Sequence, residues 1–153
     1  MKSGVIRIIV VTERIGWIRQ MIQGVRSLPL TDYNAFFSDY RNFAAAESYL
    51  RRALEALLDL GRHVLAKGFN IVVAEYKEIG LKLAEQGVLD DEGRQLMRQM
   101  AGYRNRMVHF YNELSKEELY DICNHRIDDI ETVCETIAAW LRKHPEYMDE
   151  PIE

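Results

Sequence analysis

Ala46-Glu-Ser-Tyr-Leu-Arg-Arg-Ala-Leu-Glu-Ala-Leu-Leu-Asp-Leu-Gly-Arg-His-Val-Leu65 repeats its apolar residues in steps of three and four. Ala46, Leu50, Ala53, Leu54, Leu57, Gly61, Val64 and Leu65 fall on one stripe of a helix with 3.6 residues per turn. No proline occurs between Pro29 and Pro145. An interior proline would cost a helix about 3 kcal/mol, so this gap favours long helices. The stretch predicts a long helix from about Asp39 to Lys67. Gly68 suits its C-terminal cap, because glycine adopts positive φ cheaply.

The same periodicity extends in both directions. Val11, Ile15, Ile18, Ile22 and Val25 predict an N-terminal helix. The β-branched run Val5-Ile-Arg-Ile-Ile-Val-Val11 could form a strand on propensity. Packing often overrides that preference, so the helix is expected to begin near Val5. Ser27-Leu-Pro-Leu-Thr-Asp32 ends it, and a short helical turn is expected over Asp32–Ser38. After a connector at 69–74, Glu75–Gln86 reads as a helix stopped by Gly87. Asp90 can cap the next helix, expected to run to about Leu114. Ser115-Lys-Glu-Glu118 has the form of a capping box. A last helix then carries Leu119, Ile122, Cys123, Ile130, Val133, Cys134, Ile137 and Leu141 on one side and stops near His144-Pro145.

These elements predict an all-α fold, an antiparallel up-and-down helical bundle of about five main helices plus a short one. Residues 1–145 are expected to form a single domain, followed by an acidic tail at 146–153 that is loose from Met148 onward. Trp17, Tyr49, Phe110 and Trp140 could be core or could be covered on dimerisation.

Composition narrows the function. With 153 residues, the chain can bury a core without disulfides or a structural metal. A net charge of −4 argues against a protein that coats nucleic acid, so any such contact should be local. Cys123 and Cys134 lie in one predicted helix without a CxxC or Cys/His cluster, as buried free thiols would. Val5–Val11 is too short for a membrane span, and Arg7 makes it a poor signal peptide. A cytoplasmic protein without a membrane partner is expected.

Chemistry concentrates on Arg104-Asn-Arg-Met-Val-His-Phe-Tyr111. Asn105 and His109 lie one helical turn apart, and Arg104 can swing its long side chain towards them. Histidine can take a proton from a ribose 2′-hydroxyl or give one to a leaving oxygen. Arginine matches phosphate oxygens with a planar fork of donors. Asparagine can orient the histidine or the substrate, and Tyr111 offers a hydroxyl and a stacking face. From Arg94 to Asn112 there are four arginines (Arg94, Arg98, Arg104 and Arg106) and no acid. This suits phosphate binding and metal-independent RNA cleavage, with no metal and no cofactor expected. The competing reading of an Arg and a His in one helix is a solvated face. Glu55, Asp59 and His63 form a polar stripe on the long helix, either solvated or supporting the motif. Asp59 and Arg106 are the candidates for support.

The segment Met100-Ala-Gly-Tyr-Arg-Asn-Arg-Met-Val-His-Phe-Tyr111 resembles the signature of the HEPN superfamily, Arg-x4–6-His. More closely, it resembles the HepT toxin family, Arg-x4-His-x-Tyr. The match falls on Arg104, His109 and Tyr111, with the usual polar residue at Asn105. Arg51–His63 resembles the family's long second helix. Arg106 adds a charge inside the motif, and the N-terminal Val/Ile run is more β-branched than the family's first helix. The resemblance implies a helical homodimer with motif residues near the dimer interface, acting as a metal-independent ribonuclease toxin. It implies a minimal nucleotidyltransferase antitoxin that adds AMP to Tyr111. Two other classes remain open at this level: an inactive dimeric scaffold for a nucleotidyltransferase, and a nucleotide-binding regulatory domain.

Overall fold

The computed structural model describes residues 5–109 and 114–152. Seven α-helices are found among them: α1 (Ile8–Arg26), α2 (Tyr33–Ser38), α3 (Tyr40–Phe69), α4 (Tyr76–Glu85), α5 (Asp91–Val108), α6 (Lys116–His125) and α7 (Ile127–Lys143). A 3₁₀ turn, Pro145–Tyr147, follows. The long helix α3 is the axis of the bundle, because the predicted stripe is fully buried. Leu50, Leu54, Leu57 and Leu65 have no exposed surface. Three helices run antiparallel along α3 or along each other. Gly24 of α1 meets Tyr49 while Ile6 meets Gly68. Gly61 meets Met97 of α5, and Gly80 of α4 meets Arg94 and Met97. α7 crosses α1 with Arg19 on Glu135 and Arg26 on Asp128 and Glu131. No described helix is long and apolar enough to cross a membrane.

Several element ends differ from the expectation. α1 begins at Ile8, not near Val5, and Ile6 forms a parallel bridge with Met148. The reason is burial: Ile6 is fully covered, and its side chain fills the space that a Cβ on Gly68 would need. The tail is therefore not loose at Met148. Ile6 N–H donates to Tyr147 O at 2.9 Å, Asp149 N–H donates to Ile6 O at 3.0 Å, and Ile8 N–H donates to Asp149 Oδ1 at 2.8 Å. Asp149 thus satisfies one of the amides that a helix start leaves open.

Gly68 is not the cap of α3. The helix runs one residue further, and Asn70 takes the left-handed conformation at φ 57°. Asparagine tolerates that region better than most residues, which leaves Gly68 free to admit Ile6. Gly87, at φ 79°, does follow α4 as expected. The last predicted helix is two. Arg126, at φ −121°, separates α6 from α7. Asp128 and Asp129 suit the start of a new helix, and His125 suits the end of the old one. The break lets Tyr120 pack on Phe36 and Phe37 of α2 and donate its hydroxyl to Leu30 O at 2.5 Å. The capping box at Ser115 and Glu118 is present.

Both cysteines are free and buried, Cys123 on α6 and Cys134 on α7. Burial pushes the Cys123 thiol up to about 12 and the Cys134 thiol up to about 11. Neither carries appreciable thiolate at neutral pH, so neither is a nucleophile.

Candidate active site

α5 is capped by the Asp90 carboxylate, which accepts from Gly93 N–H at 2.8 Å, and it ends at Val108. It was expected to reach Leu114. His109 is instead the C-cap residue, with an extended backbone at φ −91° and ψ 121°. Its N–H still donates to Asn105 O at 2.9 Å, so the one-turn relation between the two residues survives. Tyr111 and Phe110 lie outside the described residues.

Arg104, Asn105 and His109 line one cleft of about 520 Å³. Its other walls are Arg62 of α3 and residues Ala74, Glu75, Tyr76 and Lys77 at the start of α4. A smaller hollow of about 320 Å³ adjoins it, sharing Lys77, Asn105 and His109 and adding Gly102 and Arg106. Three predicted residues thus meet, and three helices or their ends, of α3, α4 and α5, build the site.

The Arg104 guanidinium is held on three sides. Nη2 lies 3.4 Å from Glu55 Oε2, and Nη1 donates to Asn105 Oδ1 at 3.4 Å. Its carbon sits 4.8 Å from the centre of the Tyr76 ring. Nε is buried with no partner among the described residues. Glu55 is in turn gripped by Arg51, which also reaches Glu47, at 2.9 and 3.1 Å. Glu55, read from the sequence as either solvated or supporting, faces the motif.

Asp59 acts one step further out. It accepts the Tyr76 hydroxyl at 2.9 Å, and Arg62 lies 4.5 Å from the same ring. Burial, followed by Asp59, raises the Tyr76 pKa, so the phenol stays protonated and keeps donating. Asp59 therefore reaches Arg104 only through Tyr76. Arg106 points elsewhere, into a two-pronged pair with Glu118 of α6 at 2.7 and 2.9 Å. His63 is not near the motif: its Nε2 accepts the Arg7 N–H at 3.2 Å. His144 also has a partner, stacking on Trp140 at 4.2 Å.

Sequence reading missed Arg62, Tyr76 and Lys77. Arg62 neighbours the Asp59–His63 stripe, but it carries no spacing signal toward the motif. Tyr76 and Lys77 lie in a segment read only as a helix start. Among the described residues, no group of three or more His, Cys, Asp or Glu side chains is arranged to hold a metal ion.

Comparison with known families gives a match to the model described as ribonuclease HepT-like over residues 17–137. The chain belongs to the ribonuclease HepT-like family. This HepT-like chain is 22% identical over 130 residues to the mRNA nuclease HepT of Shewanella oneidensis, covering 85% of this chain and 97% of that relative. Among solved structures it is similar to a tri-AMPylated Shewanella oneidensis HEPN toxin in complex with an MNT antitoxin. That match has a TM-score of 0.77 at 22% identity, covering 85% of this chain and 97% of the other. A toxin–antitoxin structure with AMP-PNP matches at TM-score 0.74 and 20% identity, over 84% and 97% of the two chains. A cytosolic Bacillus subtilis protein of unknown function, YutE, matches at TM-score 0.71 and 17% identity, over 94% and 93%. The HEPN-type helical fold is therefore that of this chain.

Proposed function

We propose that this HepT-like chain is a metal-independent RNA endonuclease toxin, paired with a nucleotidyltransferase antitoxin and acting as a homodimer. The observation that carries the reading is the convergence of Arg104, Asn105 and His109 on one cleft. The relatives support it, one being named as an mRNA nuclease and another being an AMPylated toxin bound to its antitoxin.

In this reading His109 removes the proton from a ribose 2′-hydroxyl. The 2′-oxygen then bonds to the adjacent phosphorus, and the bond to the 5′-oxygen breaks. The leaving oxygen takes a proton from solvent, and a 2′,3′-cyclic phosphate remains. Arg104 stabilises the charge that builds on the phosphate oxygens, where a preorganised donor counts most. Asn105 orients Arg104 or the phosphate through a non-titrating amide. Asp59 and Glu55 are positioning residues, Glu55 directly and Asp59 through Tyr76. Arg106 is tied to Glu118 and supports the end of α5 rather than the phosphate. Tyr111 is the acceptor of AMP from the antitoxin. The added phosphate would place negative charge two residues from His109 and compete with RNA for the arginine.

The purified protein should cleave RNA in EDTA and leave cyclic phosphate ends. His109→Ala should lower the rate about 10²–10⁴-fold, the usual contribution of a general base. Undiminished cleavage by that variant would remove the assigned mechanism. A stable nucleotidyltransferase complex without cleavage by the unmodified protein would favour the scaffold reading instead.

A further inference from the structure

Beyond the motif residues, the cleft is lined by two further cations, Arg62 and Lys77. Among its lining residues, Arg62, Lys77 and Arg104 are permanently charged cations and Glu75 is the one carboxylate. Lys77 is exposed and makes no ion pair among the described residues. Arg62 is 4.0 Å from Asp59, but that carboxylate already accepts the Tyr76 hydroxyl. The other Arg62 donors are only partly used: Nη2 reaches Ala74 O at 3.3 Å, and Nε has no described partner. Tyr76 has a guanidinium near its ring at 4.5 Å and another at 4.8 Å, so it spaces Arg62 from Arg104.

The size of the cleft points the same way. A water molecule's share of liquid volume is about 30 Å³, and a phosphate group is a few times larger. A cleft of about 520 Å³, adjoined by a second hollow of about 320 Å³, is far larger than one phosphate needs. An acidic protein that leaves two cations under-neutralised beside its motif concentrates positive potential there.

We propose that Arg62 and Lys77 form a second phosphate-binding subsite, which holds the phosphodiester next to the one engaged by Arg104 and His109. Tyr76 and Asp59 fix its distance from the first. The substrate is then a strand that places at least two consecutive phosphodiesters in the cleft. This inference rests on the reading of Arg104 and His109 as the cleavage site.

The test separates binding from cleavage. A 2′-O-methyl RNA strand lacks the attacking hydroxyl and can be titrated by fluorescence anisotropy at several salt concentrations. Each phosphate contact contributes about 0.7 to the slope of log affinity against log salt for single strands. Lys77→Ala should lower that slope by about 0.7 and weaken low-salt binding, with an unchanged circular dichroism spectrum. Arg62→Gln should act in the same direction. If Arg62→Gln disturbs folding, Lys77→Ala decides alone, since its side chain is exposed and unpaired. A wild-type slope in Lys77→Ala, or no binding of the strand by the wild type at low salt, would overturn the subsite. Cleavage by His109→Ala, measured alongside, reports on the catalytic reading. If that variant still cleaves while Lys77→Ala has lost slope, the subsite stands and the mechanism falls.

Discussion

His63 shows how one side chain can tie distant parts of the bundle together. It stands on α3 but accepts a hydrogen bond from the backbone of Arg7, just before α1. Burial, then the charges of Lys67, Arg14 and Arg7, hold its pKa below the ordinary 6.5, with Asp149 opposing them. At this site the folded protein therefore binds fewer protons than the unfolded chain as pH falls below 6.5. Stabilisation present above that value is lost as pH falls through the lower, folded-state value. The urea midpoint should decline between about pH 7 and pH 5, and His63→Gln should flatten that decline, because glutamine keeps an acceptor and does not titrate. An identical pH dependence in His63→Gln would assign the decline to other groups. The same residue marks a limit of sequence reading. Glu55, Asp59 and His63 share one helical stripe, yet they serve Arg104, Tyr76 and Arg7 respectively. Spacing gave them a common face. It could not say which neighbours that face would meet, because those neighbours are distant in sequence.

Helices are brought to the cleft by glycines at their crossings. A Cβ on Gly80 would stand 3.0 Å from the backbone oxygen of Arg94 and 3.0 Å from Met97 Cβ. Because one of those atoms is backbone, α4 would have to move away from α5. Gly80→Ala should cost about 1–3 kcal/mol in chemical denaturation, as overpacking usually does. It should also impair RNA cleavage, because Tyr76 and Lys77 ride on the displaced helix. Stability equal to the wild type would show that the crossing can relax without cost. Element types were legible in the sequence wherever apolar residues recurred every three or four positions, as in α3. Element ends were less so. The start of α1 depends on Met148 and Asp149, and the end of α3 depends on Ile6 displacing the cap from Gly68 to Asn70. Those are tertiary contacts, with no local signature. The break at Arg126 interrupts an apolar pattern that reads as continuous.

At the scale of the molecule, the motif was legible, but most of the cleft was not. Arg104, Asn105 and His109 share one short segment, whereas Arg62 and Tyr76–Lys77 come from elements whose approach only the fold defines. The aromatic residues divide as well. Trp140 packs on Phe69 and Tyr147 inside the monomer, while Trp17 remains 38% exposed and Ile9 54%. Such surface is compatible with the proposed homodimer. Sedimentation equilibrium at micromolar concentration should give twice the chain mass, and a single-chain mass at every concentration would remove the dimer from the proposal. The bridge between Ile6 and Met148 has a different consequence. It brings the segment before α1 against the segment after α7, so the described fold closes on itself. A rearranged gene that opened the chain at the turn of Gly87, and joined Met148 to Ile6 through a short linker, should encode the same helix contacts in a new order. The bundle's architecture in that sense does not depend on the order in which its helices are connected.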